Sequence, residues 1–189
     1  MRMHVLALAL ASFLSQSALG QPPGENLQFH VPDGFKMDFQ AQQKNVILVE
    51  YVPQAESVKN WTEMVTVQVV LGSRTTLEQV LASLQAQPPQ GCKDHKVAIL
   101  GKGQENGYAF LSWSVFCSQT AVTGKPEFSW FKAIRGNDSL YVVFKSFKSE
   151  PPQEKVADWN QHMQGIIVCD TRLADRACPN PSKAKPQSP

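Results

Sequence analysis

The chain has 189 residues, of which 42% are hydrophobic and 18% are charged, and these proportions exclude a fibrous, collagen-like or wholly disordered protein. Its 18 Lys and Arg residues and 16 Asp and Glu residues give a net charge of +2. This charge is too small to indicate a basic surface that binds nucleic acid. We therefore expect one globular domain and no nucleic-acid partner.

Residues 1–20 (MRMHVLALALASFLSQSALG) have the pattern of a signal peptide. A basic Arg2 precedes an apolar run from Val5 to Leu14, and small residues stand before the expected cleavage point at Gln21. The polar residues after this run leave it too short for a membrane span, which needs about 18–20 apolar residues. We expect cleavage, a mature chain of 189 − 20 = 169 residues with no membrane span, and a periplasmic or secreted location.

Four strands are predicted in the first part of the mature chain, at residues 27–31, 35–39, 45–51 and 62–71. The turn signal at residues 32–34 (PDG) predicts a hairpin between the first two of them. The segment NVILVEY is apolar and β-branched, as in a central strand. In the fourth strand, apolar and polar side chains alternate, which is the period of a strand with one buried face.

Helical spacing occurs in two segments, each with one apolar face. The first begins at a capping box formed by Thr75 and Glu78 and ends before Pro88. The second begins at Pro151 and Pro152, because proline is tolerated in a first helical turn. The apolar faces consist of Leu77, Val80, Leu81 and Leu84 in the first helix, and Val156, Trp159, Met163, Ile166 and Ile167 in the second.

Between the two helices lie four more predicted strands, at residues 93–100, 108–117, 127–134 and 140–147. Short turns rich in Gly, Asn and Asp connect them, which favours an antiparallel meander. The order of elements predicts an α+β fold, an antiparallel sheet of about seven to eight strands with two main helices packed on it. We expect a single domain over residues 21–169 and a polar, Pro-rich tail over residues 170–189.

This layout resembles the PsbP/Mog1-like group of small α/β/α sandwich domains. Three segments carry the resemblance, namely LQFHVPDGF, VTVQVVLGSRTTLEQVLASL and EKVADWNQHMQGI. They match the group in their pattern of strands and helices and not in a catalytic signature. Members of the group serve mostly as binding or assembly subunits, so the resemblance implies a non-enzymatic role. It transfers no functional residue to this chain.

Export places the four cysteines in an oxidising compartment, where disulfides are favoured over metal or redox sites. Three connectivities are possible, and the most local one pairs Cys92 with Cys117 and Cys169 with Cys178. A hairpin centred on residues 103–106 would set residues opposite each other whose numbers sum to 209, and 92 + 117 = 209. We predict these two disulfides.

No GxGxxG, P-loop, GxSxG or HExxH motif occurs in the sequence. A metal site or a catalytic triad would need His30, His95 or His162, and each has a plainer interpretation as a surface or structural residue. Glu50 and Glu127 lie among apolar residues of predicted strands, and no spacing in the sequence brings them together. We expect no cofactor and no metal.

Aromatic side chains indicate a binding surface, since exposed rings often anchor partners. Tyr108, Phe110, Trp130 and Tyr141 fall in three consecutive predicted strands and are the candidate ligand-binding residues. The alternative is that these rings face a helix and build the core. The resulting hypothesis is a non-catalytic exported protein of the bacterial envelope that binds a protein partner or a small ligand. A small envelope hydrolase with an acidic or histidine site assembled across strands is one alternative, and a secreted enzyme inhibitor that presents the Cys169–Cys178 loop is another.

Overall fold

The computed structural model describes residues 23–86 and 91–179 of the chain. Its strands are β1 (Glu25–Gln28), β2 (Phe35–Gln43), β3 (Val46–Pro53), β4 (Glu63–Leu71), β5 (His95–Glu105), β6 (Tyr108–Cys117), β7 (Glu127–Arg135), β8 (Ser139–Phe147) and β9 (Ile167–Asp170). Its helices are α1 (Leu77–Ala86), α2 (Gln153–Gln164) and a short 3-10 helix at Ala174–Arg176. The predicted signal peptide and residues 180–189 of the predicted tail lie outside the described residues. None of the described helices is long and apolar enough to cross a lipid bilayer.

Seven of the strands form one antiparallel sheet in the order β2-β3-β4-β8-β7-β6-β5. The sheet consists of two meanders, β2 to β4 and β5 to β8, which are joined by the pairing of β4 with β8. The remaining strands, β1 and β9, form a separate two-stranded sheet. Together with the two main helices, this arrangement is the predicted α+β fold.

The predicted hairpin between the first two strands is wrong. β1 pairs instead with β9, a strand near the end of the chain that the sequence analysis did not predict. Leu27 and Phe29 pack against the core that contains α2. The predicted turn does form, since the N–H of Phe35 donates a hydrogen bond to the carbonyl of Pro32 at 3.1 Å, but the strands on its two sides pair elsewhere. Strand pairing depends on packing more than on local propensity.

Two other boundaries differ from the predicted ones. α1 begins at a capping box shifted by one residue, in which Thr76 Oγ1 accepts a hydrogen bond from the backbone N–H of Gln79 at 3.2 Å. Gln79 Oε1 accepts one from the N–H of Thr76 at 2.9 Å, so Gln79 takes the part that we expected of Glu78. α2 ends before Ile166, which is buried in the core, and Ile167 begins β9.

The turn between β5 and β6 is shorter than predicted. It consists of Asn106 and Gly107, whose φ angles of 48° and 74° are the left-handed values that a two-residue hairpin requires. β5 therefore extends to Glu105, which pairs with Tyr108. The prediction of a four-residue turn at residues 103–106 overlooked this Asn-Gly signal.

Both predicted disulfides are present. The Cα–Cα distance is 5.6 Å between Cys92 and Cys117 and 4.7 Å between Cys169 and Cys178. The register from which we derived the first pair is wrong, because the shorter turn and a bulge in β5 place His95 opposite Cys117. Cys92 lies just before β5 and still comes close enough to the end of β6 to form the bridge.

We expect the double substitution Cys92→Ala and Cys117→Ala to lower the free energy of unfolding by about 3.5 kcal/mol. The same change at Cys169 and Cys178 should lower it by about 2.5 kcal/mol. The first bridge closes a loop of 25 residues in the unfolded chain and the second a loop of 9, so the first removes more chain entropy. Urea denaturation of both variants measures the two changes. A larger loss at the shorter loop would contradict this ranking.

Each face of the sheet carries an apolar core. On one face, Trp159 and Met163 of α2 are buried against the central strands. On the other face, α1 packs over a smaller cluster. The buried members of that cluster are Leu111, Trp113, Ala133 and Leu140. No side chain of α1 is itself buried, so α1 covers its face less completely than α2 covers the other.

Two lysines are buried on the α2 face, and the charge of each is satisfied. Lys132 Nζ donates hydrogen bonds to the Glu105 carboxylate and to two backbone carbonyls at the end of α2. Burial lowers the pKa of Lys132, and Glu105 opposes that change. Lys145 Nζ lies 2.7 Å from the carboxylate of Glu63. These charges hold the α2 face together.

Candidate functional site

The four aromatic residues predicted to bind a ligand lie on the α2 face of the sheet. Tyr108 and Tyr141 are buried, with 2% and 5% of their surface exposed. Phe110 and Trp130 pack against the same core. Tyr108 and Tyr141 therefore belong to the core, whereas Phe110 and Trp130 are only half-buried.

The α1 face carries an open cavity of about 1160 Å³, which we call the groove. It exists because α1, with ten residues and a length of about 15 Å, covers only part of strands that are about 30 Å long. The sheet contributes Glu50, Met64, Thr66, Trp113, Val115, Cys117, Glu127, Ser129, Phe131, Phe144 and Ser146 to its lining. α1 and the loops contribute Val58, Trp61, Ser83, Leu84, Gly91, Cys92, Thr120, Ala121, Val122 and Thr123.

One cross-strand row of side chains runs across the whole sheet through the groove. The strand register places its members next to one another, one on each strand in spatial order: Phe39, Glu50, Thr66, Phe144, Phe131, Trp113 and Ile99. The middle five line the groove. The two at the ends are exposed, Phe39 to 41% and Ile99 to 43%. The row is therefore a mainly apolar track that contains one carboxylate.

Three aromatic rings of this row stack on one another. The ring centroids of Trp113 and Phe131 are 5.0 Å apart with the planes 2° from parallel. Those of Phe131 and Phe144 are 4.6 Å apart with the planes at 25°. These separations match the spacing of about 4.8 Å between neighbouring strands. We call these three stacked rings, Trp113, Phe131 and Phe144, the ladder. Because its two neighbours cover both faces of Phe131, that ring cannot stack on a ligand.

Six hydroxyl and two carboxylate side chains are among the described residues that line the groove, and several of them bond to one another. Ser129 Oγ lies 2.6 Å from Ser146 Oγ and 3.3 Å from a carboxylate oxygen of Glu127. The Nε1–H of Trp113 is buried and has no acceptor within residues 23–86 and 91–179. A water molecule or an oxygen atom of a ligand would satisfy it. The groove is thus mainly apolar with a few polar contacts, which is the usual composition of a ligand site.

Glu50 is the carboxylate of the row. Burial raises the pKa of Glu50, and no Lys, Arg or His is among the described residues that line the groove. Half-buried ionisable groups with shifted pKa values in a cleft are typical of functional sites. Although Glu50 lay in a predicted strand, the sequence analysis did not choose it as a site residue, because its position in a cavity depends on the pairing of distant strands.

Glu127, the other carboxylate of the groove, lies far from Glu50. β3 and β7 are separated by β4 and β8, so the backbones of the two residues are at least three strand spacings apart, about 14 Å. Glycosidase carboxylates act as a pair at about 5–9.5 Å. The separation does not suit Glu50 and Glu127 for one acid–base pair or for one metal ion.

None of His30, His95 and His162 is among the described residues that line the groove. His95 is exposed at the start of the edge strand β5. His162 lies on α2, where its ring stacks on Trp159 at a centroid distance of 5.0 Å. Burial lowers the pKa of His162, and the exposed His30 lies beside it. The described lining of the groove therefore supplies no histidine to a hydrolase site, and an acidic site there would have to use Glu50 or Glu127.

A cluster of three carboxylates lies away from the groove, where β1 and β9 meet the turn between β7 and β8. Oxygen atoms of Glu25, Asp138 and Asp170 lie within 4.8 Å of one another. The guanidinium of Arg172 lies 2.5 Å from Asp138 and 2.6 Å from Asp170. It holds the pKa of Asp170 below its usual range. Arg172 thus supplies the positive charge that a metal ion would supply in such a cluster.

The segment closed by the Cys169–Cys178 disulfide lies against the body of the protein. Asn106 Nδ2 donates hydrogen bonds to the backbone carbonyls of Val168 and Arg176 at 2.9 and 3.3 Å. The Arg176 guanidinium lies 4.5 Å from the centre of the Tyr108 ring. An inhibitor loop has to protrude in order to enter its enzyme, whereas this loop is held down.

Comparisons with known proteins give a family match and 15 matching chains among solved structures, which include two Mog1 proteins. A protein-family model matches residues 24–118, half of the 189-residue chain. A mutant of protein Mog1 is 14% identical with a TM-score of 0.44, and the match covers 78% of this chain and 93% of that one. The Saccharomyces cerevisiae Ran-binding protein Mog1p is 14% identical with a TM-score of 0.39, and the match covers 72% of this chain and 78% of that one. A search of curated proteins finds no match.

The predicted resemblance to the PsbP/Mog1-like group is confirmed as a similarity in the pattern of strands and helices. At 14% identity it concerns the fold, and it carries neither residue roles nor partners over to this chain.

We expect Glu50→Gln to stabilise the folded protein at pH 7, by no more than about 1 kcal/mol because water still screens the half-buried carboxylate. Burial raises the pKa of Glu50 in the folded state above its ordinary value of 4.5. Ionisation therefore weakens the fold as the pH rises through this range, whereas protonated Glu50 carries no such cost.

Thermal unfolding of the parent and the Gln variant at several pH values measures this effect. The advantage of the variant should disappear as the pH falls below 4.5, where Glu50 is protonated in both the folded and the unfolded chain. A variant less stable than the parent at pH 7 would show that Glu50 has a favourable partner in the fold.

Proposed function

We propose that this chain, which belongs to the family whose model matches residues 24–118, is an exported, non-catalytic binding or accessory protein that holds a ligand in the groove. The observation that carries the proposal is the groove itself, an open and mainly apolar cavity on the face of a sheet. Small-ligand sites commonly have this form, with volumes of about 300–1,000 Å³. Two disulfides favour an oxidising compartment, and we propose the periplasm or the extracellular space.

The walls of the groove are held in place before any ligand binds. One wall of the groove is the loop between β6 and β7, which the Cys92–Cys117 disulfide holds at its start. Within this loop the hydroxyls of Thr120 and Thr123 lie 2.6 Å apart. On the opposite wall, Lys148 Nζ lies 4.1 Å from the centre of the Trp61 ring. A preformed site orders few side chains on binding and therefore loses little entropy.

A binding role fits the chemistry of the groove better than a catalytic role. Its two cysteines are joined in a disulfide and cannot act as nucleophiles. The hydroxyl of Ser129 bonds to Ser146 and Glu127, without a histidine to activate it. Glu50 stands alone as an acid or base, and a single carboxylate on an apolar floor is suited to hold a ligand in one orientation.

Binding of N-phenyl-1-naphthylamine, an uncharged apolar fluorophore, tests the proposal on purified protein with both disulfides formed. We expect its fluorescence to increase with one site per chain. Ser83→Trp should weaken binding by about tenfold or more, because an indole on this exposed residue of α1 would fill the groove.

Ala82→Trp is the matched control for this experiment. Ala82 is the neighbouring exposed residue of α1 and does not line the groove, so its replacement should leave the affinity at the parent value. A flat titration of the parent protein would refute the groove as a ligand site, and so would equal affinities for the two Trp variants.

Export is tested separately by expressing the full chain in a bacterial host and fractionating the cells. We expect the protein in the periplasm or the medium, with the mass of residues 21–189 and with no free thiols. Full-length protein with four free thiols in the cytoplasm would contradict the proposed location.

A further inference from the structure

We infer that the groove selects a small amphipathic amine, a ligand with an apolar body and one positively charged group that binds to Glu50. The inference rests on the proposed function, because it names the class of ligand for the same groove. Three features support it: the charge inside the groove, the arrangement of its rings, and the mutual hydrogen bond of Ser129 and Ser146 in its floor.

The charge of the groove, as far as the described residues form it, is negative. The described lining contains two carboxylates, Glu50 and Glu127, and no cationic side chain. Glu127 has a hydroxyl partner in Ser129 and a nearby cation in Lys148. Burial raises the pKa of Glu50, and no ion pair of Glu50 is found within residues 23–86 and 91–179. A ligand cation would therefore gain more at Glu50 than at Glu127, whereas a ligand anion would be repelled.

The position of Glu50 determines where the rest of such a ligand would lie. Thr66 separates it from the ladder, so Phe144 is two strand spacings away, about 10 Å, and Trp113 is four spacings away, about 19 Å. A ligand whose ammonium group bonds to Glu50 would place its apolar body along the ladder. A cation binds over the face of an aromatic ring, and the stacked rings cover many of one another's faces. The rings therefore offer mainly apolar contact, and the preference for a cation has to come from Glu50.

The groove suits a compact apolar body better than a peptide. Ser129 and Ser146 already bond to each other at 2.6 Å. The backbone groups beneath the groove are paired within the sheet, because the strands that form its floor lie in its interior. A peptide chain buried there would leave N–H and C=O groups without partners, which is costly.

Dansylcadaverine and its N-acetyl derivative form a matched pair of probes for this inference. Both have the same fluorescent ring system and five-carbon stem, but only the parent amine carries a charge at neutral pH. We expect the protein to bind the amine about tenfold more tightly than the acetyl derivative, as a charge-assisted hydrogen bond implies.

Glu50→Gln should abolish this preference and leave the affinity for the acetyl derivative unchanged. The variant is expected to be at least as stable as the parent at pH 7, so a loss of binding would not result from unfolding. Glu154→Gln is the matched control, because Glu154 is an exposed carboxylate in the first turn of α2, on the opposite face of the sheet. It should keep the full preference for the amine.

The outcomes separate this inference from the proposed function. Equal affinity for the two probes, or a preference that survives Glu50→Gln, would overturn the amine inference while the groove remained a binding site. Failure of both dansyl probes and of N-phenyl-1-naphthylamine would remove the proposed function and the inference together. Binding of a blocked apolar peptide that contains one lysine, with neither dansyl probe bound, would assign the groove to a protein segment and overturn the small-ligand inference.

Discussion

β4 and β8 pair along the whole length of both strands, and this pairing turns two separate meanders into a single sheet. Each meander alone has a small apolar face that neither helix could bury completely. The register of the pairing places Thr66 beside Phe144. Glu50 and Thr66 come from one meander, and the stacked rings of Phe144, Phe131 and Trp113 come from the other. The candidate site therefore exists only once the two halves of the sheet have met.

A seven-stranded sheet has two faces to cover, and the two helices cover them unequally. α2 buries Trp159 and Met163, and buried lysines fasten the end of the helix and the strands beneath it. α1 buries no side chain completely, and beyond it the sheet carries small hydroxyl residues such as Ser129 and Ser146. Ser129 and Ser146 are themselves buried, and their mutual hydrogen bond offsets the cost of removing the two hydroxyls from water. The incomplete cover leaves the groove, inside which burial raises the pKa of Glu50.

Much of the fold could be predicted from the sequence, but the site could not. Alternating apolar and polar residues predicted the strands of both meanders. Apolar residues that recur at helical spacing predicted the two helices. The candidate rings chosen from sequence, such as Tyr108 and Trp130, lie in the same strands as Trp113 and Phe131 but on the opposite face. A shift of one residue in a strand reverses the side to which a ring belongs. Only the strand register and the extent of α1 show which set of rings lines an opening.

The sequence by itself determined the features that depend on neighbouring residues. These include the periods of strands and helices, the helix start near Thr76, and the two pairs of cysteines that lie closest in the chain. Tertiary structure decided the pairing of β1 with β9, the joining of β4 with β8, and the partial cover of the α1 face. These contacts connect residues that lie far apart in the chain. Their choice depends on which arrangement buries the most apolar surface with its polar groups paired, and no local pattern contains that information.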